Sequence, residues 1–284
     1  MKRELSDIEK IERSLVTTYK SSLWSKFTKA VKTYKLLSEG DRVCVCISGG
    51  KDSMCMAKLF QQLHKYSDFP FEIKFLVMNP GYNSENLELI KKNLSILGID
   101  AEFVETNIFD VANKIVKSPC YICARMRRGA LYQAAKNLGC NKIALGHHYD
   151  DVIETTLMNI LNAGSFQTML PKLRSENYDG MELIRPMFLI REKDIISWSK
   201  ANDLRFIACA CRFTEMVERG TAVSSQRKNT KKLIEELKEN YNVNVEKNIF
   251  SSAENVNLDK ILGYKSGKKI FSFDDIYENT NSDE

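Results

Sequence analysis

Apolar residues in this chain fall into two alternating kinds of run. Short, largely unbroken runs read as strands: Val43 to Ile47, fully buried, then Phe71 to Met78, Ala101 to Val104, Lys142 to Leu145 and Glu182 to Arg185. Between them lie stretches with helical spacing and one apolar stripe. These predict helices over Met54 to Phe60, Ser84 to Leu97 closed by Gly98, Met126 to Leu138 closed by Gly139, Asp150 to Leu161, and Glu192 to Asn202. Strands alternating with helices of this length argue for right-handed βαβ units and a parallel, doubly wound α/β sheet. Ligands of such sheets sit beyond the carboxyl ends of the strands, where strand order reverses. The residues after Ile47, the pair Met78-Asn79 and the pair Gly146-His147 all fall at such ends.

Outside this frame the pattern changes twice. Residues 1–40 predict a helical extension in which Leu23, Trp24, Phe27, Val31, Tyr34 and Leu37 form an apolar face, with Gly40 as its stop. Lys20, Lys26, Lys29, Lys32 and Lys35 fall largely elsewhere, with no acidic residue among them, so this helix either touches RNA phosphates or packs down with a solvated face. Residues 41–205 hold the alternating strands and helices. From residue 206 to 284 the pattern weakens to a charged helix over Lys228 to Tyr241 and an acidic tail from Asp274-Asp275 to Asp283-Glu284.

The composition of the 284 residues, 43% hydrophobic and 28% charged, is that of a globular protein. No apolar run approaches the roughly 20 residues that span a bilayer, so no membrane is expected. The N-terminus has no apolar signal core, and eight cysteines are too sparse for a disulfide scaffold, so a reducing, cytoplasmic setting is expected. A net charge of +5 permits a nucleic-acid partner without requiring one.

The chemistry concentrates at Ser48-Gly49-Gly50-Lys51-Asp52-Ser53, placed where a buried strand runs into a helix. Adjacent glycines let backbone approach a ligand closely, and the turn's N–H groups with the helix dipole make an anion site. Lys51 adds a mobile positive charge, and Ser48 and Ser53 add hydroxyl donors. Asp52 would repel phosphate unless a cation such as Mg²⁺ lay between them, so the loop points to a metal–nucleotide complex. The spacing excludes the G-x-x-x-x-G-K-[ST] loop. It is similar instead to S-G-G-x-D-S, the pyrophosphate loop of the ATP pyrophosphatases, which split ATP between its α and β phosphates and adenylate a substrate.

Of the eight cysteines, Cys44, Cys46, Cys55 and Cys140 read as core residues. Cys120 and Cys123 form a C-x-x-C pair, followed by the basic turn Arg125, Arg127 and Arg128; Cys209 and Cys211 come later. A C-x-x-C pair alone serves a redox dithiol, half a zinc site or part of an iron–sulfur site. The absence of a thioredoxin pattern and the two later cysteines favour metal. Four thiolates would suit zinc, and three with an open position would suit a cluster. The arginines suit either phosphate contact or ion pairs along a helix face.

A further block, Ala144-Leu145-Gly146-His147-His148-Tyr149-Asp150-Asp151 with Glu154-Thr155, joins the S-G-G-K-D-S loop, the C-x-x-C pair followed by Arg125 to Gly129, and the stretches Ile184-Arg185-Pro186 and Arg191-Glu192-Lys193-Asp194-Ile195. Together, roughly from Gly40 to Tyr241, they resemble the tRNA 2-thiocytidine synthetase family of ATP-dependent tRNA thiolases. The resemblance implies ATP at Ser48–Ser53, Met78, Asn79, Gly146, His147 and Asp151, with Lys51 and Asp52 acting in catalysis and Asp150 or Asp151 orienting Mg²⁺ with Asp52. It implies a 4Fe–4S cluster on Cys120, Cys123 and Cys209, with the open iron carrying the incoming sulfur to an adenylated base, cytidine 32. Here the later motif is C-x-C instead of the family's usual C-x-x-C, so Cys211 is the alternative third ligand. Implied partners are tRNA, a sulfur donor of the cysteine-desulfurase type and a reductant, and a homodimer is compatible with this set. Two rival readings stay open: a ligase or amidotransferase on the same fold, similar to lysidine synthetase and needing no essential cysteine, and a zinc-stapled RNA-binding module.

Overall fold

Strand β1 (Arg42–Ile47) lies inside a six-stranded sheet, between β2 (Glu72–Asn79) and β4 (Lys142–Ala144) and parallel to both. The computed structural model describes residues 3–113, 119–207 and 226–280. Beyond β2 comes β3 (Glu102–Glu105); beyond β4 come β6 (Glu182–Ile184) and β5 (Lys172–Arg174), giving the order β3-β2-β1-β4-β6-β5. All pairs are parallel except β5 with β6. The doubly wound α/β expectation is met. Strand β5 escapes the hydrophobic pattern: it is three mostly exposed residues at an edge and shows no period to read.

The alternation of valine and cysteine in β1 has a packing cause, because successive strand side chains point to opposite faces. Val43, Val45 and Ile47 enter the larger core, with Phe60 and Leu59 of α3 (Lys51–Tyr66) and Trp198 of α8 (Glu192–Ala201). Cys44 and Cys46 enter a smaller one, with Tyr132 and Ala135 of α6 (Pro119–Asn137) and Cys140. All four thiols read as core, Cys44, Cys46, Cys55 and Cys140, are buried. Helix α4 (Ser84–Leu97) ends as expected at Gly98, φ +61°, where the N–H groups of Gly98 and Ile99 reach back to Ser95 and Leu94. The short α5 (Ile108–Asn113) follows β3, and α7 (Tyr149–Ala163) follows the loop after β4.

The N-terminal segment corrects one expectation. Helix α1 (Asp7–Val16) opens with a reciprocal capping box between Ser6 and Glu9, a π-helical turn follows over Lys20–Trp24, and α2 (Ser25–Thr33) stops well before Gly40. Lys35, at φ +49°, ends it: its N–H bonds Lys32 O, and that of Leu36 bonds Val31 O. Burial of Leu36 beside Val31 favours this left-handed exit at a residue other than glycine. Gly40 instead turns the chain into β1, donating to Pro70 O. A second difference is the start of α6 at Pro119, not near Met126; proline suits the first helical position, so the C-x-x-C pair and the three arginines are helical.

The sheet and the N-terminal helices belong to one compact unit, Met1–Val152 with Met169–Gln226. A second unit comprises Ile153–Thr168 and Arg227–Glu284. Within it Arg227 pairs with Glu154 at 3.2 Å, and α9 (Gln226–Asn240) buries Thr230 and Ile234. It also holds α10 (Val245–Ser252) and a hairpin of β7 (Gly263–Ser266) and β8 (Lys269–Ser272), with Tyr264 stacked on Phe271. The sequence pattern does not reveal this hairpin. Among the described residues, no helix is long and apolar enough to cross a membrane.

Candidate active site

The reversal of strand order lies between β1 and β4, and the loops leaving these two strands define the site. After β1 the backbone turns through Gly49, φ +82°, where a side chain would be strained and a Cβ would stand 2.6 Å from Ile90 and 2.8 Å from Ile207. Gly50 then caps α3 with no side-chain bond, so the first N–H groups of a sixteen-residue helix open towards the site. Ser53 Oγ braces the turn: it accepts from Ser48 N–H at 3.1 Å, bonds Ser48 Oγ at 3.2 Å and donates to Gly50 O at 3.0 Å. Tyr82, just after β2, adds a second brace, its hydroxyl donating to Ser48 O at 2.9 Å. Tyr82 is placed by Asn79, whose Oδ1 accepts from Gly81 and Tyr82 N–H while its Nδ2 donates to Glu105. Asn79 and Met78 are both buried at the strand end.

The loop after β4 approaches this turn directly. A Cβ on Gly146 would lie 3.1 Å from Ser53 N and 3.2 Å from the Asp52 carbonyl carbon, both backbone atoms, so only glycine leaves the contact unstrained. His147 is half-buried beyond it. His148, not His147, stands beside Asp52, with Nε2 3.7 Å from Asp52 Oδ1, while its Nδ1 lies 3.5 Å from Asp151 Oδ2 and 3.7 Å from Asp150 Oδ2. Asp151 Oδ2 also accepts from His148 N–H at 2.9 Å. Asp52 Oδ1 and His148 Nδ1 are buried without a hydrogen bond. Burial pushes the Asp52 carboxyl above the usual carboxylate range, against the pull of His148 and Lys51.

Two groups join the site that the pattern of the chain does not single out as site residues. Glu192, the first residue of α8, holds Lys51 Nζ at 2.9 Å, and Asp52 Oδ2 holds it at 3.1 Å. Burial alone would lower the pKa of the Lys51 ammonium, but these two carboxylates outweigh it and hold the value above that of an ordinary lysine. Arg191 forks onto Asp150, Nε at 3.1 Å and Nη2 at 2.9 Å from Oδ1, and Glu192 N–H donates to Asp150 Oδ2 at 2.7 Å. The Arg191-Glu192 stretch is visible in the sequence as a block; its contact with the loop is not. Further along, buried Arg185 donates to Leu170 O, and burial with neighbouring Arg128 brings its pKa down to about 10.

The cysteine expectations stand differently. Cys120 and Cys123 occupy positions i and i+3 in the first turns of α6, and Cys123 is half-buried. Cys209 and Cys211 lie outside the described residues. Among the described residues, no group of three or more His, Cys, Asp or Glu side chains is arranged to hold a metal ion.

A glycine turn with open helix amides, a lysine above it and a buried, unbonded carboxylate oxygen at a switch point together define a PP-loop protein, and the PP-loop domain family matches residues 19–219. The tRNA-cytidine(32) 2-sulfurtransferase of Citrifermentans bemidjiense is 37% identical over 244 residues, spanning 84% of this chain and 92% of that protein. That of Ralstonia pickettii is 35% identical over 243 residues, spanning 82% and 72%. The chain belongs to the tRNA-cytidine(32) 2-sulfurtransferase family. A solved structure of similar fold is the U34-tRNA thiolase NcsA from Methanococcus maripaludis with its 4Fe–4S cluster, at TM-score 0.60 and 22% identity, covering 86% of this chain and 84% of that one.

Proposed function

We propose that this chain is an ATP-dependent tRNA thiolase that replaces the C2 carbonyl oxygen of cytidine 32 with sulfur. The observation that carries the reading is the uncapped start of α3 at the strand-order reversal, in a chain of this family. The loop amides and Lys51 bind the ATP phosphates and neutralise charge as pyrophosphate departs. The base carbonyl oxygen attacks the α-phosphorus, the bond to the β-phosphate oxygen breaks, and the adenylated oxygen becomes a good leaving group. Exchange of that oxygen for sulfur releases AMP.

Asp52 and Asp151 suit Mg²⁺ shared with phosphate oxygens, since Asp52 keeps a buried oxygen unbonded and a hard cation of this kind binds through one or two carboxylates plus phosphates. Gly146 keeps the backbone close to the nucleotide, with His147 at its edge. Cys120, Cys123 and a third thiolate, Cys209 or alternatively Cys211, would hold a 4Fe–4S cluster, which when bound supplies the incoming sulfur. A persulfide donor of the cysteine-desulfurase type and a reductant would replenish it, in the cytoplasm where tRNA matures.

Mass spectrometry of tRNA nucleosides from a deletion strain tests this. We expect 2-thiocytidine to vanish, to return with the wild-type gene, and not to return with Cys120→Ala or Cys123→Ala. Full modification by Cys120→Ala would favour the ligase reading. Anaerobically purified protein is expected to be brown and to contain iron and sulfide; colourless protein with stoichiometric zinc would favour the RNA-binding module.

A further inference from the structure

At the edge of the site, Asp150, Arg191, Glu192 and Lys51 form one connected chain of contacts. Asp150 sits at the start of α7, where a carboxylate beside the PP-loop suggests a metal ligand. Its contacts suggest another task. It accepts from Arg191 Nε at 3.1 Å, Arg191 Nη2 at 2.9 Å and Glu192 N–H at 2.7 Å. The N-cap residue of α8, Arg191, makes no capping bond of its own, so Asp150 caps this helix from another segment. Arg191 is held further by lying over the Tyr149 ring at 5.1 Å, and Tyr149 N–H donates to Ile190 O at 2.9 Å. The start of α8 is thus fixed, and it presents Glu192 Oε1 to Lys51 Nζ at 2.9 Å.

We propose that Glu192, oriented by Asp150 and Arg191, is a positioning residue that aims the Lys51 ammonium at the phosphates of ATP. An ammonium has three N–H donors. Asp52 and Glu192 engage two from different elements, which fixes the direction of the third. Asp52 cannot do this alone, because it neighbours Lys51 on the same helix turn and would draw the ammonium onto itself. An ordinary exposed ion pair contributes at most about 1 kcal/mol. This pair differs in that both carboxylates are held on rigid elements, with side-chain exposures of 20% for Glu192 and 28% for Lys51.

The inference rests on the ATP reading, and calorimetric titration of the full chain with MgATP, without tRNA, separates the two. Charge alone predicts that removing a carboxylate near phosphates tightens ATP binding; lost aim predicts the opposite. We expect Glu192→Gln to raise the dissociation constant about tenfold, ~1.4 kcal/mol, and Glu192→Asp to recover part of the loss. Asp150→Asn should weaken binding in the same direction. In a Lys51→Met background Glu192→Gln should add nothing, because the two act as one unit. Unchanged or tighter binding by Glu192→Gln, or an equal cost in the Lys51→Met background, overturns the inference while leaving the ATP reading intact. Wild-type protein that fails to bind MgATP overturns both. Should Glu192→Gln melt early, Glu192→Asp and its Lys51→Met double carry the same comparison.

Discussion

Gly146 illustrates how a single missing methyl group governs this site. Its Cα stands against the backbone of Asp52 and Ser53, which belong to a helix held by its own hydrogen bonds and cannot yield as a side-chain tip would. Gly146→Ala should push the first turn of α3 from its place and weaken MgATP binding at least about tenfold, with a melting temperature within a few degrees of wild type, readable by calorimetry and by thermal denaturation. Gly49 is crowded by Ile90 and Ile207 side chains, which are softer, but its φ of +82° adds backbone strain to any substitution. Both glycines are legible in the sequence because they lie next to strand ends. The pairing of Glu192 with Lys51 is not, since nothing in local spacing places the start of α8 over a loop so distant in the chain. His148 is equally hidden: two neighbouring histidines look alike until the backbone turns one inward to Asp52.

Among the elements, α8 ties the site to the body of the fold. Trp198 is fully buried and its indole N–H donates to Ser14 Oγ at 3.2 Å, while Lys26 of α2 pairs with Asp194 at 3.4 Å. Trp198→Ala should cost about 3–5 kcal/mol of unfolding free energy by urea denaturation, the scale of a large aromatic removed from a core. Strands β1, β4 and the second half of β2 are readable because burial on both faces writes an unbroken apolar run, whereas parallel β3 at the edge is mostly exposed. Helix α4 is readable to its ends because Gly98 marks its exit. The early start of α6 is not, because Cys120, Tyr121 and Cys123 are weak helix formers and only Pro119 signals the first turn. The hairpin β7–β8 is lost for another reason: its four-residue strands are mostly exposed and carry no core period. For the lysine row of α2, Leu23, Phe27 and Val31 are buried while Lys26 pairs with Asp194 and Lys29 and Lys32 are exposed, which is the packed helix with a solvated face.

For the molecule as a whole, stability depends on a buried lysine at the junction of three helices. Lys58 of α3 has a fully buried side chain and donates to Glu12 of α1 at 2.9 Å, to Gln61 at 2.7 Å and to the carbonyl of Leu97 ending α4 at 2.8 Å. Lys58→Met would leave that carbonyl and Glu12 without their cation and should cost about 3 kcal/mol. Burial lowers the Lys58 pKa below its ordinary 10.5, against the opposing effect of Glu12. The unfolded chain therefore binds this proton more tightly than the folded one. This contribution to stability rises with pH from the folded value up to 10.5, so the urea midpoint of the wild type should gain on that of Lys58→Met across that window. The threading of cysteine through β1 has its own consequence at this scale. A protein that handles reactive sulfur needs its spare thiols to be bystanders, and Cys44, Cys46, Cys55 and Cys140 lie inside the packed layers, with burial raising the pKa of Cys55 well above that of a free thiol. Shut inside the packed layers, they offer neither a competing landing place for iron nor a false acceptor for a persulfide.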